Sequence, residues 1–181
     1  MITGESGAGK TETTKYIMKY LANTHKQDYS PFATSMETWK ETQATIEDKI
    51  VSSNDVLEPF GNAKTLKNDN SSRFGKFIRI RFDMNQRIES ALIEKFLLEK
   101  SRLTSASTEE RNYHIFYLLL AKAPAEFQQR YSIQPKGKYR YINNSSDKMH
   151  SSDDSQRWES LLQGLNKMQF SPEHQVREVA T

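Results

Sequence analysis

The fold of this chain is decided by the stretch Gly4-Glu5-Ser6-Gly7-Ala8-Gly9-Lys10-Thr11. It fits the pattern G-x-x-x-x-G-K-[S/T] at every fixed position. Small residues let successive backbone N–H groups turn toward phosphate oxygens, and a helix that begins directly afterwards points its positive end at them. A helical pattern does follow, from residue 10 to about residue 22. The stretch therefore predicts a phosphate-binding loop at the start of a helix.

Two side chains at the end of this loop carry chemistry of their own. Lys10 would neutralise the β- and γ-phosphates of a nucleotide, and the Thr11 hydroxyl would ligate Mg²⁺. A chance glycine-rich turn is the alternative, but the required helical pattern follows at once. Such a loop normally follows a buried strand, and only Met1-Ile2-Thr3 precedes it. We therefore expect the chain to begin inside the fold.

Composition narrows the functional class. The 181 residues are 35% hydrophobic and 27% charged, which is lean for an independent domain and predicts that part of the core lies elsewhere. The net charge is only +3, and the sequence contains no basic stripe with interleaved aromatic residues. We therefore do not expect nucleic-acid binding. Cysteine is absent, and the four histidines are scattered like surface or structural residues rather than metal ligands. With no membrane-length apolar run and no signal peptide, we expect a soluble cytoplasmic protein.

Periodicity predicts a mixed chain of helices and strands. Alternating apolar and basic residues at 77–82 predict a half-buried strand, and residues 88–96 are its expected partner across a turn at 83–86. A capping box at Ser107 to Glu110 predicts that a helix begins there and runs to about residue 123. Further helices are predicted at 35–51, 56–60, 152–165 and from Ser171 onward. The predicted apolar face of the first helix is Ile17, Tyr20 and Leu21. That of the helix at 35–51 is Ile46, Ile50 and Val51, and that of the helix at 152–165 is Trp158, Leu161, Leu162 and Leu165.

Other classes of nucleotide-binding protein fit the sequence poorly. A GTPase should contain Asn-Lys-x-Asp, and the nearest string is Asn166-Lys167-Met168-Gln169, without the acid. The Asp-x-x-Gly motif, which a GTPase carries in a second switch on the metal side, is also absent. Asp83 closes a strand that alternates Arg with apolar residues, whereas the strand before a metal-binding aspartate is buried on both faces. We interpret Asp83 as a turn residue.

The discriminating segment is Asn62-Ala63-Lys64-Thr65-Leu66-Lys67-Asn68-Asp69-Asn70-Ser71-Ser72-Arg73-Phe74-Gly75-Lys76. A polar surface turn would explain its composition but not its richness in hydroxyl and amide groups. The segment closely resembles switch I of the myosin motor domain, and the loop with Glu12 resembles the myosin phosphate loop. Kinesins share Ser-Ser-Arg but continue differently. The resemblance spans almost the whole chain and includes Leu97-Leu98-Glu99-Lys100-Ser101-Arg102 and Glu110-Arg111-Asn112-Tyr113-His114-Ile115-Phe116-Tyr117.

This resemblance implies an α/β fold: an incomplete P-loop NTPase motor core with part of a mostly helical upper domain. Residues 1–124 would carry the P-loop and switch I, and residues 125–181 would belong to the upper domain. The whole protein would be an actin-activated ATPase that binds and hydrolyses MgATP to drive movement along actin filaments. It would carry light chains or calmodulin and associate with the cytoskeleton. The short segment after residue 22 is more typical of an unconventional myosin.

The family's functional residues carry over position by position. Lys10 would hold the β- and γ-phosphates, while the Thr11 and Ser72 hydroxyls would ligate Mg²⁺. Asn68 would contact phosphate, and Ser71 would lie near the attacking water. Arg73 would pair with a glutamate of switch II, which is absent from these residues. The complete set of expected nucleotide-binding residues is Gly4, Glu5, Ser6, Gly7, Ala8, Gly9, Lys10, Thr11, Glu12 and Asn68.

Segments that the family needs for a motor cycle are missing from the sequence, including switch II, the adenine-binding segment and most of the actin-binding surface. We therefore expect little or no ATPase activity from these residues alone. Two alternatives stay open at this point. One is an enzyme of another class, such as a P-loop kinase or a kinesin-like motor. The other is a truncated nucleotide-binding remnant without ATPase or motor activity.

Overall fold

A computed structural model describes residues 1–5, 7–23, 46–84, 88–104, 106–143 and 151–171, without the side chains of residues 22, 23, 47 and 151–153. A 3₁₀ turn at Lys136–Lys138 accompanies the main elements. These elements are, in chain order, α1 (Lys10–Asn23), α2 (Ile46–Gly61), β1 (Asn62–Ala63), β2 (Ser71–Ser72), β3 (Gly75–Phe82), β4 (Ile88–Phe96), α3 (Ser101–Thr104), α4 (His114–Lys122), α5 (Ala125–Arg130) and α6 (Ser151–Lys167).

The described strands form two antiparallel pairs. The short strands β1 and β2 pair through Asn62 with Ser72, so they bring the two ends of the switch I segment together. The longer strands β3 and β4 pair from Gly75 with Phe96 to Phe82 with Ile88, which confirms the predicted hairpin. A parallel strand pair, which is common in α/β folds, does not occur within the described ranges.

One face of the hairpin packs on helices. Ile78 and Ile80 lie against a buried cluster of Met18, Ile50 and Ile88, while the alternating Arg79 and Arg81 are exposed. This alternation is the one that the period of two predicts for a half-buried strand. The apolar face of the hairpin therefore packs against α1 and α2.

The largest buried cluster lies between α6, α4 and β1. It contains Leu161 and Leu165 of α6, Ile115 of α4, and Ala63 and Tyr113. Trp158 packs against it, which confirms the predicted apolar face of α6 apart from Leu162, whose side chain is only half-buried. α6 also lies close to α2, because a β-carbon on Gly164 would be 3.0 Å from Val56 Cγ2. Residues on both sides of Pro124 thus form one core, and a domain boundary there stays a prediction.

Two predicted helices differ from the structure in their faces and ends. On α1, Ile17 and Tyr20 are 45% and 70% exposed, and Met18 is the buried residue. The predicted apolar face was therefore wrong at Ile17 and Tyr20, whereas Leu21 is half-buried. Tertiary contacts rather than periodicity choose which side of a short helix is covered. α2 runs without a break to Gly61, and Pro59 is accommodated within it. Residues 24–45, where a loop and the start of this helix were predicted, lie outside the described part.

The predicted start of α4 was also wrong. The helix begins at His114 after Tyr113, which makes no side-chain capping bond. The Glu110 carboxylate instead accepts hydrogen bonds from Arg102 at 3.0 Å and from the backbone N–H of Leu66 at 3.2 Å. A long-range ion pair therefore takes the acid that a capping box would use. The helix predicted after Ser171 lies outside the described residues, and no helix in the described ranges is long and apolar enough to cross a membrane.

Candidate nucleotide site

The phosphate loop, residues 4–12, has the backbone shape that an anion cradle needs. Gly7 and Gly9 have φ values of 85° and 79°, which side-chain-bearing residues rarely adopt. The Thr13 N–H donates to Gly9 O at 2.8 Å, so α1 starts immediately after the glycine. Because the first amides of a helix have no acceptor within it, they are available to an anion that binds at the N-terminus of α1.

The side chain of Lys10 folds back over this loop. Its Nζ donates to the carbonyl oxygens of Gly4 at 2.6 Å and Glu5 at 2.7 Å. These contacts hold the ammonium against the backbone of the loop. Ser6, the remaining predicted residue of the loop, lies outside the described residues.

The structure brings most of the predicted residues to one cavity of about 400 Å³. Gly4 and Glu5 are not on its wall and take part only through their carbonyl contacts with Lys10. The wall consists of two groups that are far apart in sequence, the phosphate loop and the switch I segment (residues 62–76), together with one residue of α2. These residues are Gly7, Ala8, Gly9, Lys10, Thr11, Glu12, Glu58, Asn62, Asn68, Asn70, Ser71, Ser72 and Arg73.

Asn68 is the switch I residue nearest to the loop glycines. A β-carbon on Gly7 would lie 3.9 Å from its Nδ2 atom. A tight turn holds Asn68, since its carbonyl oxygen accepts the Thr65 N–H at 2.9 Å and the Thr65 hydroxyl at 3.1 Å. The side-chain amide of Asn68 is thus held across the cavity from the loop, as its predicted contact with phosphate requires.

The hydroxyl groups predicted to serve magnesium and water also lie on this cavity. Thr11 is half-buried at the start of α1, and Ser72 is exposed, with its Oγ donating to Phe74 O at 3.3 Å. Ser71 is buried, and its Oγ accepts a hydrogen bond from Arg73 Nη1 at 3.0 Å. Hydroxyl oxygens that face a phosphate cradle suit a hard cation such as Mg²⁺, which binds oxygen and takes further ligands from substrate phosphates.

Arg73 has a partner that sequence reasoning missed. Its Nε donates to Glu99 Oε2 at 2.6 Å, and Arg102 Nε donates to the same oxygen at 2.8 Å. Partial burial alone would raise the pKa of Glu99, but hydrogen bonds and positive charge from Arg102 and Arg73 outweigh it and lower that pKa. The only signal in the sequence was that Glu99 lies in a stretch resembling the family. The pairing of Arg73 with a switch II glutamate stays a prediction.

Behind switch I lies the fully buried His114. Burial, followed by the positive charges of Arg157 and Arg111, lowers its pKa from 6.5 to about 3. The unfolded chain therefore binds one more proton than the folded chain between these values, and stability falls as the pH falls. We expect the free energy of unfolding to drop by about 1.4 kcal/mol from this residue between about pH 7.5 and about pH 5.5.

Urea unfolding at both pH values measures this loss. His114→Gln, which keeps a polar donor but does not titrate, is the control, because it isolates this residue from the other histidines. The variant should lose about 1.4 kcal/mol less than the wild type over the same range. An identical loss in both proteins would show that His114 does not carry the acid sensitivity.

Comparisons with known proteins agree with the motifs. The family model described as the myosin head (motor domain) matches residues 1–180. The chain is 45% identical to Myosin-5 of Arabidopsis thaliana over 176 residues, which cover 97% of this chain and 11% of that protein. Myosin-16 of the same plant is 50% identical over 146 residues, or 81% of this chain and 11% of the relative. Myosin heavy chain 95F of Drosophila melanogaster is 46% identical over 143 residues, or 79% and 10%. The chain thus spans about a tenth of the length of these relatives.

Proposed function

The chain belongs to the myosin motor-domain family, and from this premise we propose that it forms the phosphate-binding part of a MgATP site in an actin-based motor. The observation that carries the proposal is the cavity of about 400 Å³ lined by both the phosphate loop and switch I. Two sequence motifs of one nucleotide site, separated by more than a whole helix, face the same space.

Each wall of this cavity has a separate task in the proposed site. The loop amides and Lys10 would bind the β- and γ-phosphates, and Asn68 would contact phosphate from the opposite side. Thr11 and Ser72 would supply hydroxyl ligands to magnesium, which when bound offsets phosphate charge. Ser71, held by Arg73, would orient the attacking water. Positioning and charge neutralisation of this kind account for most of phosphoryl-transfer catalysis.

Hydrolysis and movement belong, in this proposal, to the whole protein rather than to these residues. Switch II, which would face Arg73, is not within the sequence. The actin filament would bind mainly through other segments, and light chains or calmodulin would bind outside this region. The expected location of the whole motor is the cytoplasm, in association with the cytoskeleton.

The proposal is tested by calorimetric titration of the purified chain with MgATP and with ATP plus EDTA. We expect MgATP to bind, and the dissociation constant to rise about 100-fold when magnesium is removed, because two hydroxyl contacts to the metal, each of about 1.4 kcal/mol, are lost. Thr11→Val removes one of these two contacts, and it should raise the dissociation constant about tenfold with magnesium present.

Thr13→Val is the matched control, because Thr13 lies in the same turn of α1 but is exposed and outside the cavity. Its affinity for MgATP should equal that of the wild type. Absence of binding by the wild-type chain at millimolar MgATP would overturn the proposed site for these residues.

A further inference from the structure

A partly buried polar network lies at the wall of the cavity, centred on a side chain to which the proposed site gives no role. This is the side chain of Asn70. Its Oδ1 accepts a hydrogen bond from Asn62 Nδ2 at 3.1 Å and lies 3.2 Å from His114 Nε2. Its Nδ2 donates to Glu58 Oε2 at 3.2 Å. Asn62 is 2% exposed and His114 is fully buried, so water cannot easily replace their contacts with Asn70 Oδ1. The contact with Glu58 is only partly buried.

The donors and acceptors in this network fit only one arrangement. The Glu58 carboxylate, when charged, can only accept, so the NH₂ group of Asn70 must face it. Asn70 Oδ1 then faces the NH₂ group of Asn62, and His114 must carry its proton on Nε2 to donate to the same oxygen. Among the described residues His114 Nδ1 has no hydrogen-bond partner, which is consistent with the neutral ring. The side-chain amide of Asn70 is therefore held in one orientation from three sides.

Glu58 connects this network to the helix that carries the phosphate loop. Its Oε1 forms an ion pair with Lys15 Nζ at 3.0 Å, and Lys15 also pairs with Glu12 at 3.3 Å. Lys15 lies on α1 one turn beyond Thr11. A continuous path of side chains thus runs from α1 through Lys15 and Glu58 to Asn70 in switch I.

Asn70 also restrains the positions of neighbouring residues in switch I. Its backbone N–H donates to Asn68 Oδ1 at 2.9 Å, which orients the amide that faces Gly7. Ser71 follows it directly and pairs in β2 with Ala63 of β1. Fixing the Asn70 side chain therefore also restrains Asn68 and Ser71, two of the switch I residues on the cavity wall.

We propose that Asn70 is a positioning residue, and that Glu58 ties it to α1, so that the separation between the phosphate loop and switch I is set before a nucleotide binds. The idea rests on the proposed function, since it assigns these residues to the same site. Its physical benefit is preorganisation: a site that is already ordered loses less conformational entropy on binding.

The test uses Asn70→Asp, which keeps the shape of the side chain but turns its donor toward Glu58 into an acceptor. Two readouts are measured on the whole chain: hydrogen exchange of the amides of residues 65–73 without nucleotide, and MgATP affinity by calorimetry. We expect exchange about tenfold faster and affinity about tenfold weaker, because one partly buried hydrogen bond becomes a repulsive contact.

Rescue and control variants separate this role from general damage. Glu58→Gln added to Asn70→Asp supplies a new donor, with the direction of the hydrogen bond reversed, and should restore both readouts to within about threefold. Asp69→Asn is a change of the same size at the exposed neighbour, whose carboxylate pairs with Lys64 Nζ at 2.7 Å. Because exposed ion pairs contribute little, it should alter neither readout. If Asn70→Asp does not fold, Glu58→Gln alone weakens the same network and should produce a smaller change in the same direction.

The outcomes distinguish this proposal from the proposed function. Unchanged exchange and affinity in a folded Asn70→Asp chain would overturn the positioning role, and so would faster exchange with unchanged affinity. If the wild-type chain does not bind MgATP, the proposed function fails. Hydrogen exchange then decides alone whether the network orders switch I. Faster exchange in Asn70→Asp that Glu58→Gln reverses supports the ordering, and unchanged exchange in Asn70→Asp overturns it.

Discussion

Replacing Lys10 with alanine is expected to weaken MgATP binding about 100-fold or more. The carbonyl oxygens of Gly4 and Glu5 hold its ammonium against the loop. Lys10 is the one lysine on the wall of the nucleotide cavity in the described part of the chain. Two charge-assisted hydrogen bonds to phosphate, each of about 1.5 kcal/mol, correspond to that factor. Calorimetric titration of wild type and variant side by side measures it.

Two further variants make this result specific. Lys67→Ala removes an exposed lysine of the switch I segment that is outside the cavity, and it should leave the affinity unchanged. Lys10→Arg keeps the charge with a different donor geometry, so its affinity should lie between those of wild type and Lys10→Ala. Equal MgATP affinity in Lys10→Ala and wild type would exclude Lys10 from the site.

Replacing Asp154 with alanine should destabilise the fold by about 3–5 kcal/mol, because it leaves a buried charge without its partner. Arg111 is 3% exposed, and its two terminal nitrogens donate to Asp154 at 3.2 Å and 3.0 Å. Its guanidinium carbon also lies 3.8 Å from the centre of the Tyr117 ring. The pair joins the segment before α4 to α6, so its loss should lower the urea midpoint of the whole chain.

A double variant tests the physical reason. Adding Arg111→Met to Asp154→Ala removes the buried charge together with its partner, and it should recover more than half of the lost stability. If the double variant is as unstable as Asp154→Ala, the cost comes from lost packing and not from an unpaired guanidinium. Asp154→Asn keeps one acceptor and should be intermediate.

Local sequence was sufficient for the elements that short-range rules govern. The glycines and Lys10-Thr11 predicted the loop and the start of α1, since a G-x-x-x-x-G-K-[S/T] pattern encodes its own backbone shape. The alternation at 77–82 predicted β3, and the spacing of Leu161 and Leu165 predicted the buried side of α6. In each case the residues that determine the structure are neighbours on the chain or one helical turn apart.

Predictions failed or were incomplete where a side chain finds its hydrogen-bond partner in another part of the sequence. Glu110 is placed to cap a helix, but Arg102 and the Leu66 amide bind it instead. The Arg73 partner Glu99 is 26 positions away, and periodicity does not connect them. His114, one of several scattered histidines in the sequence, contacts Asn70 across 44 positions. No local rule orders such contacts, because they form only once the core has closed.

The sequence by itself determined the family, the phosphate loop and the residue types of switch I, because each depends on consecutive residues whose spacing is fixed by the backbone. Tertiary structure decided what surrounds them. It determined which face of α1 is buried and that the loop and switch I line one cavity. It also brought Glu58 to Asn70 and Glu99 to Arg73, which are contacts that hold switch I. The physical reason is that buried polar groups must find hydrogen-bond partners wherever the fold brings them together, and those partners are set by packing rather than by order along the chain.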